Sequence, residues 1–234
     1  SSTIPNCLSY DPTFAYELAV IIQNGMHRMY NQDEDLFYYI TVMNENYPHP
    51  EMPKNAEEGI IKGMYLLKKP DKSKAQIQLL GSGTILREVI AAADLLKEDF
   101  GISSNIWSVT SFNELRREGL SIKRQYLLHP DKKQKLTYVE SLLEDENTPV
   151  VAATDYMKIY ADQIREFIPN KYIVLGTDGF GRSDTRKQLR KFFEVNRYYI
   201  VVAALKALTD KGEVEPDKIN EAIKKYNIDP NKPE

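Results

Sequence analysis

The stretch Gly176 to Arg186 reads Gly-Thr-Asp-Gly-Phe-Gly-Arg-Ser-Asp-Thr-Arg, placing three glycines, two carboxylates and two arginines within one short loop. Glycines let a backbone turn and approach a partner closely, and an arginine near a carboxylate can organise an interface or hold an anion through charge-assisted hydrogen bonds. Upstream, Tyr172-Ile173-Val174-Leu175 is a short β-prone run; downstream, Leu189, Phe192 and Phe193 recur at helical spacing. The loop therefore leaves a strand and enters a helix, where α/β proteins carry functional loops. Residue types alone leave a functional loop and a plain turn equally open.

Other candidates are weaker. Gly81-Ser82-Gly83 follows an apolar run and precedes a helical pattern, a place where backbone N–H groups can cradle a phosphate. A dinucleotide fingerprint needs a third glycine at position 86, which is Leu86, so a tight strand-to-helix turn is the simpler reading. His27, His49 and His129 have no second His or Cys at ligand spacing, so no metal site is expected; His27 reads as a surface residue. Asp33, Glu34 and Asp35 read as a solvated helix exit. Cys7, the single cysteine, has no neighbouring base to activate it and reads as structural.

The elements that must position these residues follow from periodicity. Asp11-Pro12 is expected to open a helix, with Phe14, Leu18, Ile21, Ile22, Met26 and Met29 on its buried face through about Tyr30. Leu36 to Met43 reads as a buried strand, and three prolines at 48, 50 and 53 make residues 44 to 54 the expected domain boundary. Asn55 with Glu58 suggests a capped helix ending near Gly63. Met64 to Leu67 and Ala75 to Leu80 read as two strands of a hairpin across a turn from Lys68 to Lys74. A helix burying Ile85, Val89, Ala92, Ala93 and Leu96 comes next, then a strand from Ile102 to Val109 and a helix opened by a Ser111/Glu114 capping box. Residues 126 to 137 form a charged excursion, followed by a short helix from Tyr138 to Leu143. A strand from Pro149 to Ala153 leads to a helix capped by Thr154, with Met157, Tyr160, Ala161, Ile164 and Phe167 inward. Asn196 starts a helix ending at Gly212, and Glu215-Pro216 begins the last one. Alternation of strands and helices from residue 64 predicts a three-layer α/β/α domain with a mostly parallel sheet and one antiparallel strand.

Composition narrows the partners. The 234 residues carry 31 Lys+Arg against 34 Asp+Glu, a formal net charge of −3, which gives no field to recruit nucleic acid or an anionic membrane. No apolar run approaches the ~20 residues of a bilayer span, no secretory signal is visible, and one cysteine suits a reducing cytosol, so a cytoplasmic location is expected. The start at Ser-Ser-Thr without Met suggests a piece of a longer chain.

Gly176 to Asp184 resembles the corresponding stretch of the homodimeric, thiamine-diphosphate-dependent pyruvate dehydrogenase decarboxylating component. Thr3 to Cys7, Asn44 to Tyr47, Ala56 to Ile60, Gln78 to Gly83, Ser108 to Phe112, Leu128 to Pro130, Ala153 to Lys158 and Tyr226 to Asp229 resemble that family in the same order. The resemblance implies that residues 1–54 are the end of a pyrimidine-binding domain and that 55–234 form a transketolase-like C-terminal domain. It also implies that thiamine diphosphate and Mg²⁺, the activating glutamate and the active-site histidines belong to the chain upstream of Thr3. No catalytic, cofactor-binding or metal residue is therefore assigned here, no cofactor is expected on this segment, and it is expected to be inactive alone. The implied partners are a second copy in a homodimer and the dihydrolipoyl acetyltransferase of the complex, with no nucleic acid and no membrane. Asp178, Gly179, Phe180, Arg182, Ser183 and Asp184 become a candidate interface loop. The alternatives are a free-standing nucleotide-binding module using Gly81 to Gly83, or a protein-interaction module.

Overall fold

The computed structural model describes residues 1–70, 74–144 and 148–232. Among the described residues, seven strands form two sheets. Strands β1 (Cys7–Tyr10) and β2 (Phe37–Ile40) pair in parallel. Strands β3 (Met64–Lys68), β4 (Ile77–Gly81), β5 (Ser104–Val109), β6 (Val150–Ala153) and β7 (Tyr172–Leu175) form a second sheet in the order β3-β5-β4-β6-β7. All its pairings are parallel except β3 with β5, which matches the expected mostly parallel sheet with one antiparallel strand.

Alternation along the strands builds two cores. Ile77, Leu79, Ile106, Val151 and Ala153 face one side of the sheet and pack with α3 (Leu86–Phe100) and α8 (Arg197–Asp210). Leu80, Trp107, Val109, Val150 and Ala152 face the other, against α4 (Phe112–Leu128), α5 (Tyr138–Leu142) and α6 (Lys158–Asp162). Period-two side chains on a sheet covered by helices on both faces make the three layers. The buried face expected for α3 is fully observed, with Ile85, Val89, Ala92, Ala93 and Leu96 all in the core. Helices α7 (Arg186–Phe192) and α9 (Asp217–Lys225) complete the C-terminal part, and Asn196 caps α8 through bonds from Tyr198 N and Tyr199 N.

A third cluster joins α1 (Ala15–Met26), α2 (Glu57–Lys62) and β1 to the main sheet through Leu8, Tyr10, Ile21, Ile60 and Tyr65. Its polar centre is Glu17, which is fully buried. Glu17 Oε2 accepts from Thr13 N at 2.5 Å and Phe14 N at 2.9 Å, while Oε1 accepts from Tyr65 Oη and Ser108 Oγ, both at 2.6 Å. One carboxylate thereby caps α1 and ties it to β3 and β5. Ser111 Oγ donates to Ser9 O, and Asp11 N donates to Thr110 O at 2.7 Å, so β1 is stitched to the start of α4.

Several expectations are corrected. Met64 to Leu67 and Ala75 to Leu80 form strands but no hairpin, because β5 inserts between them; residues 71–73 of the expected turn lie outside the described residues. The strand expected over Leu36 to Met43 is shorter and half solvated: Phe37 and Tyr39 are exposed because their face of β2 is left uncovered among the described residues, and Val42, also exposed, lies beyond the strand. β1 was not foreseen. α1 begins at Ala15, not Asp11-Pro12, because the Asp11 carboxylate is engaged by Thr41 Oγ1 and Glu17 does the capping; Ile22 and Met26 are exposed. Asn55 does not cap α2, whose N-cap is Ala56 without a side-chain bond, and Asn55 itself has a φ of 60°. Ser111 caps α4 by accepting from Glu114 N at 3.1 Å, but the side-chain half of the expected box is replaced by a Glu114–Arg117 ion pair. Thr154 does not cap α6: its hydroxyl meets Ser82 Oγ at 3.1 Å, the helix starts after Met157, and Met157 is exposed. Glu34 is not merely solvated, because its carboxylate is gripped by Arg28 Nη2 at 2.5 Å. No helix of the described residues is long and apolar enough to cross a membrane.

Candidate functional site

The loop after β7 is fastened at its base and open at its tip. Thr177 N donates to Tyr156 O and Thr177 Oγ1 to Asp155 O, each at 2.8 Å, so the first turn rides on the loop after β6. Asp178 Oδ1 accepts from Lys158 N at 3.0 Å, with Lys158 Nζ 3.6 Å from Oδ2. Gly176 is required by close packing: a Cβ there would lie 2.6 Å from Tyr156 O and 2.7 Å from Lys158 N. Gly179 takes a left-handed φ of 100°, a conformation glycine adopts without a Cβ penalty. Phe180, between Gly179 and Gly181, is 94% exposed. Arg182 lies over the Phe192 ring with its guanidinium carbon 4.0 Å from the centroid, and Thr185 caps α7 by accepting from Gln188 N. Asp184 Oδ1 accepts from Thr185 N at 2.6 Å, and Ser183 is exposed beside it. The candidate residues thus share one solvent-facing loop, without a convergent set of titrating groups. Their arrangement suits contact with another surface better than bond making.

Behind the loop, a cleft of about 270 Å³ is lined by Thr84, Asp155, Gly181, Arg186, Arg190 and Phe193 among others. Burial raises the Asp155 carboxyl, opposed by the charges of Arg190 and Arg186. Arg190 Nη2 donates to Thr84 Oγ1 at 2.7 Å and Nη1 to Glu88 Oε1 at 3.2 Å; Arg197 donates its N and Nε to Glu88 Oε2 at 2.9 and 3.0 Å. Burial works to raise the Glu88 carboxyl, yet these bonds and charges hold it below its ordinary value. Sequence reasoning missed Glu88 and Glu45 as partners of these arginines. The available signal was the run Arg186-Lys187-Gln188-Leu189-Arg190-Lys191, which repeats basic residues at helical i,i+4 spacing.

Gly81-Ser82-Gly83 does not fit a phosphate or diphosphate group. Gly83 N donates to Asp11 O at 3.1 Å, and the Asp11 carboxylate fills the space beside Gly83, presenting charge of the same sign as the proposed ligand. The three histidines are exposed and apart; His49 Nδ1 accepts from Ala15 N at 3.1 Å and its ring stacks on Tyr47. Among the described residues, no group of three His, Cys, Asp or Glu side chains could hold a metal ion. Cys7 is buried in β1.

Residues 63–196 match the family described as the transketolase-like TK C-terminal domain. The chain belongs to that family. Residues 1–50 match the pyruvate dehydrogenase E1 component middle domain. Across 234 residues the sequence is 63% identical to the pyruvate dehydrogenase E1 component of Pseudomonas aeruginosa and 51% identical to that of Escherichia coli K12, covering 99% of this chain in each case. The resemblance read from the motifs therefore extends over nearly the whole sequence. The chain spans 26% of the length of these curated relatives. In three dimensions it is similar to a transketolase of Pichia stipitis, with a TM-score of 0.63, 17% identity, and coverage of 91% of this chain and 26% of that one. It is also similar to a split-gene transketolase described as an inactive beta4 tetramer, with a TM-score of 0.61, 19% identity, and coverage of 90% of this chain and 60% of that one. At these identities the likeness supports the transketolase-like fold alone.

Proposed function

We propose that this chain serves as the C-terminal region of a pyruvate dehydrogenase E1 component, with residues 1–54 ending the pyrimidine-binding domain and 55–234 forming the C-terminal domain. The observation that carries this reading is the 63% identity to an E1 component over 234 residues. The activity belongs to the whole enzyme: decarboxylation of pyruvate with thiamine diphosphate and Mg²⁺, and transfer of the acetyl unit to the lipoyl group of dihydrolipoyl acetyltransferase, in the cytoplasm. Thiamine diphosphate supplies an electron sink when bound. The Gly81 to Gly83 turn does not fit the diphosphate, and among the described residues no group of three His, Cys, Asp or Glu side chains could hold its metal. Their part is scaffolding: the Glu17 hub binds the end of one domain to the sheet of the next, and the exposed loop offers a contact surface to a second copy.

Two measurements test this. Calorimetry of the 234-residue chain with thiamine diphosphate and Mg²⁺ is expected to show no tight binding, whereas the full-length protein binds; tight binding or pyruvate decarboxylation by the short chain would overturn the division of labour. In the full-length protein, Arg182→Ala is expected to weaken self-association by freeing the loop from Phe192. An unchanged dimer dissociation constant would remove the loop from the interface.

A further inference from the structure

A second, larger cleft of about 640 Å³ lies where α3, α7, α8 and α9 meet residue 45. Its wall holds six basic side chains, Arg87, Arg186, Lys187, Arg190, Lys191 and Arg197, against two carboxylates, Glu45 and Glu88. This concentration of positive charge stands out in a chain whose formal net charge is −3. The two carboxylates are already shared. Glu88 takes Arg190 and Arg197, while Glu45 lies 2.7 Å from Arg87 Nη1, 3.7 Å from Arg186 Nε and 3.9 Å from Arg190 Nη2. The Arg87 guanidinium, 2.7 Å away, is the main cause that holds the Glu45 carboxyl below its ordinary value, with the charges of Arg190 and Arg186 adding to it.

The internal pairing leaves donors unused. A guanidinium carries five N–H groups. Arg87 lines the cleft with its Nη1 buried in the pair with Glu45, and Arg186 Nη2 donates to Asn44 Oδ1 at 2.6 Å, which leaves the other N–H groups of both forks for a ligand. Lys187 and Lys191 are exposed one turn apart on α7 beside the cleft. The far wall is aromatic: Tyr198 and Tyr226 stand with ring centroids 4.8 Å apart, and Tyr198 is partly exposed. The volume lies in the ordinary range for small-molecule sites of roughly 300–1,000 Å³. Fixed guanidinium forks backed by lysines on one side are the usual recognition chemistry for phosphate oxygens. A concave site of this size favours a small molecule over a flat protein surface.

We infer that this cleft binds a small molecule carrying two or more phosphate groups, its oxygens held by Arg87, Arg186, Lys187 and Lys191. The site lies outside the Gly81 to Gly83 turn and does not depend on the activity proposed above.

The test is calorimetric titration of the full-length protein with inorganic pyrophosphate, in saturating thiamine diphosphate so that any diphosphate site elsewhere is filled, with sodium chloride at matched ionic strength as the control. Saturable binding is expected, weakened about tenfold in the Lys187→Gln/Lys191→Gln double variant, which removes two charges with no ion-pair partner among the described residues. The charge-reversed Lys187→Glu/Lys191→Glu variant should abolish it. Absence of saturable heat, equal affinity in the double variant, or equal heat from chloride would each overturn the inference. Binding of an acidic peptide with no binding of pyrophosphate would do so as well. Thermal unfolding of each variant separates loss of the site from loss of the fold.

Discussion

The carboxylate of Asp11 stands where a side chain on Gly83 would begin: a Cβ at Gly83 would lie 2.6 Å from both Oδ1 and Oδ2. Gly83 also has a left-handed φ of 48°. Gly83→Ala therefore meets a backbone cost and a steric one together, about 2–4 kcal/mol of lost stability. The urea midpoint should fall accordingly. In the double variant Asp11→Ala/Gly83→Ala only the backbone part remains, so the two substitutions should be non-additive; simple additivity would sink this account.

Asp11 also makes stability depend on pH. Burial pushes its carboxyl up to about 6; hydrogen bonds from Thr41 and Ser82 oppose the rise, and the charges of Asp155 and Glu17 add to it. A carboxyl that holds its proton more tightly folded than unfolded stabilises the fold when protonated. That contribution is complete below the unfolded value of about 3.9 and is lost as pH rises through about 6. Wild type should therefore gain about 2 kcal/mol over Asp11→Asn between pH 7 and pH 4. Denaturation curves for both proteins at the two pH values decide it, and a constant difference would count against the buried carboxyl.

Gly119 on α4 and Phe167 form a close pair in the second core. A Cβ on Gly119 would come within 2.5 Å of the fully buried Phe167 ring. Gly119→Ala should cost about 1–3 kcal/mol through overpacking, despite the better helix propensity of alanine. Adding Phe167→Leu to Gly119→Ala should recover part of the loss. If Gly119→Ala proves stabilising, helix propensity outweighs the contact.

The sheet and its helices were legible where burial writes a period into the chain. Ile85, Val89, Ala92, Ala93 and Leu96 mark α3, and Tyr172 to Leu175 mark β7. The hairpin expectation failed because neighbours in sequence need not be neighbours in a sheet, and nothing in Met64 to Leu80 encodes the insertion of β5. Asp11 and Thr154 have good capping chemistry, but tertiary partners, Thr41 and Ser82, claim their oxygens. β1 escaped notice because Cys7-Leu8-Ser9-Tyr10 carries no β-branched residue, unlike the equally short Tyr172-Ile173-Val174-Leu175. At the second cleft, the basic repeat on α7 was visible, but its carboxylates are supplied by residues 45 and 88, about 100 or more positions earlier.

The stitching of β1 to α4 has a consequence for the order of events on the ribosome. The Asn113 side chain donates to Ser9 Oγ across 104 positions of sequence. At roughly 5–20 residues per second, β1 waits on the order of 5–20 s after its own synthesis before that partner exists. Cys7, buried in the finished protein and the single cysteine in the sequence, reports the wait. Nascent chains of the 234-residue sequence arrested before Asn113 is made should leave its thiol open to alkylation, and the released 234-residue chains should protect it. Equal protection in both would mean that β1 finds cover before α4 arrives.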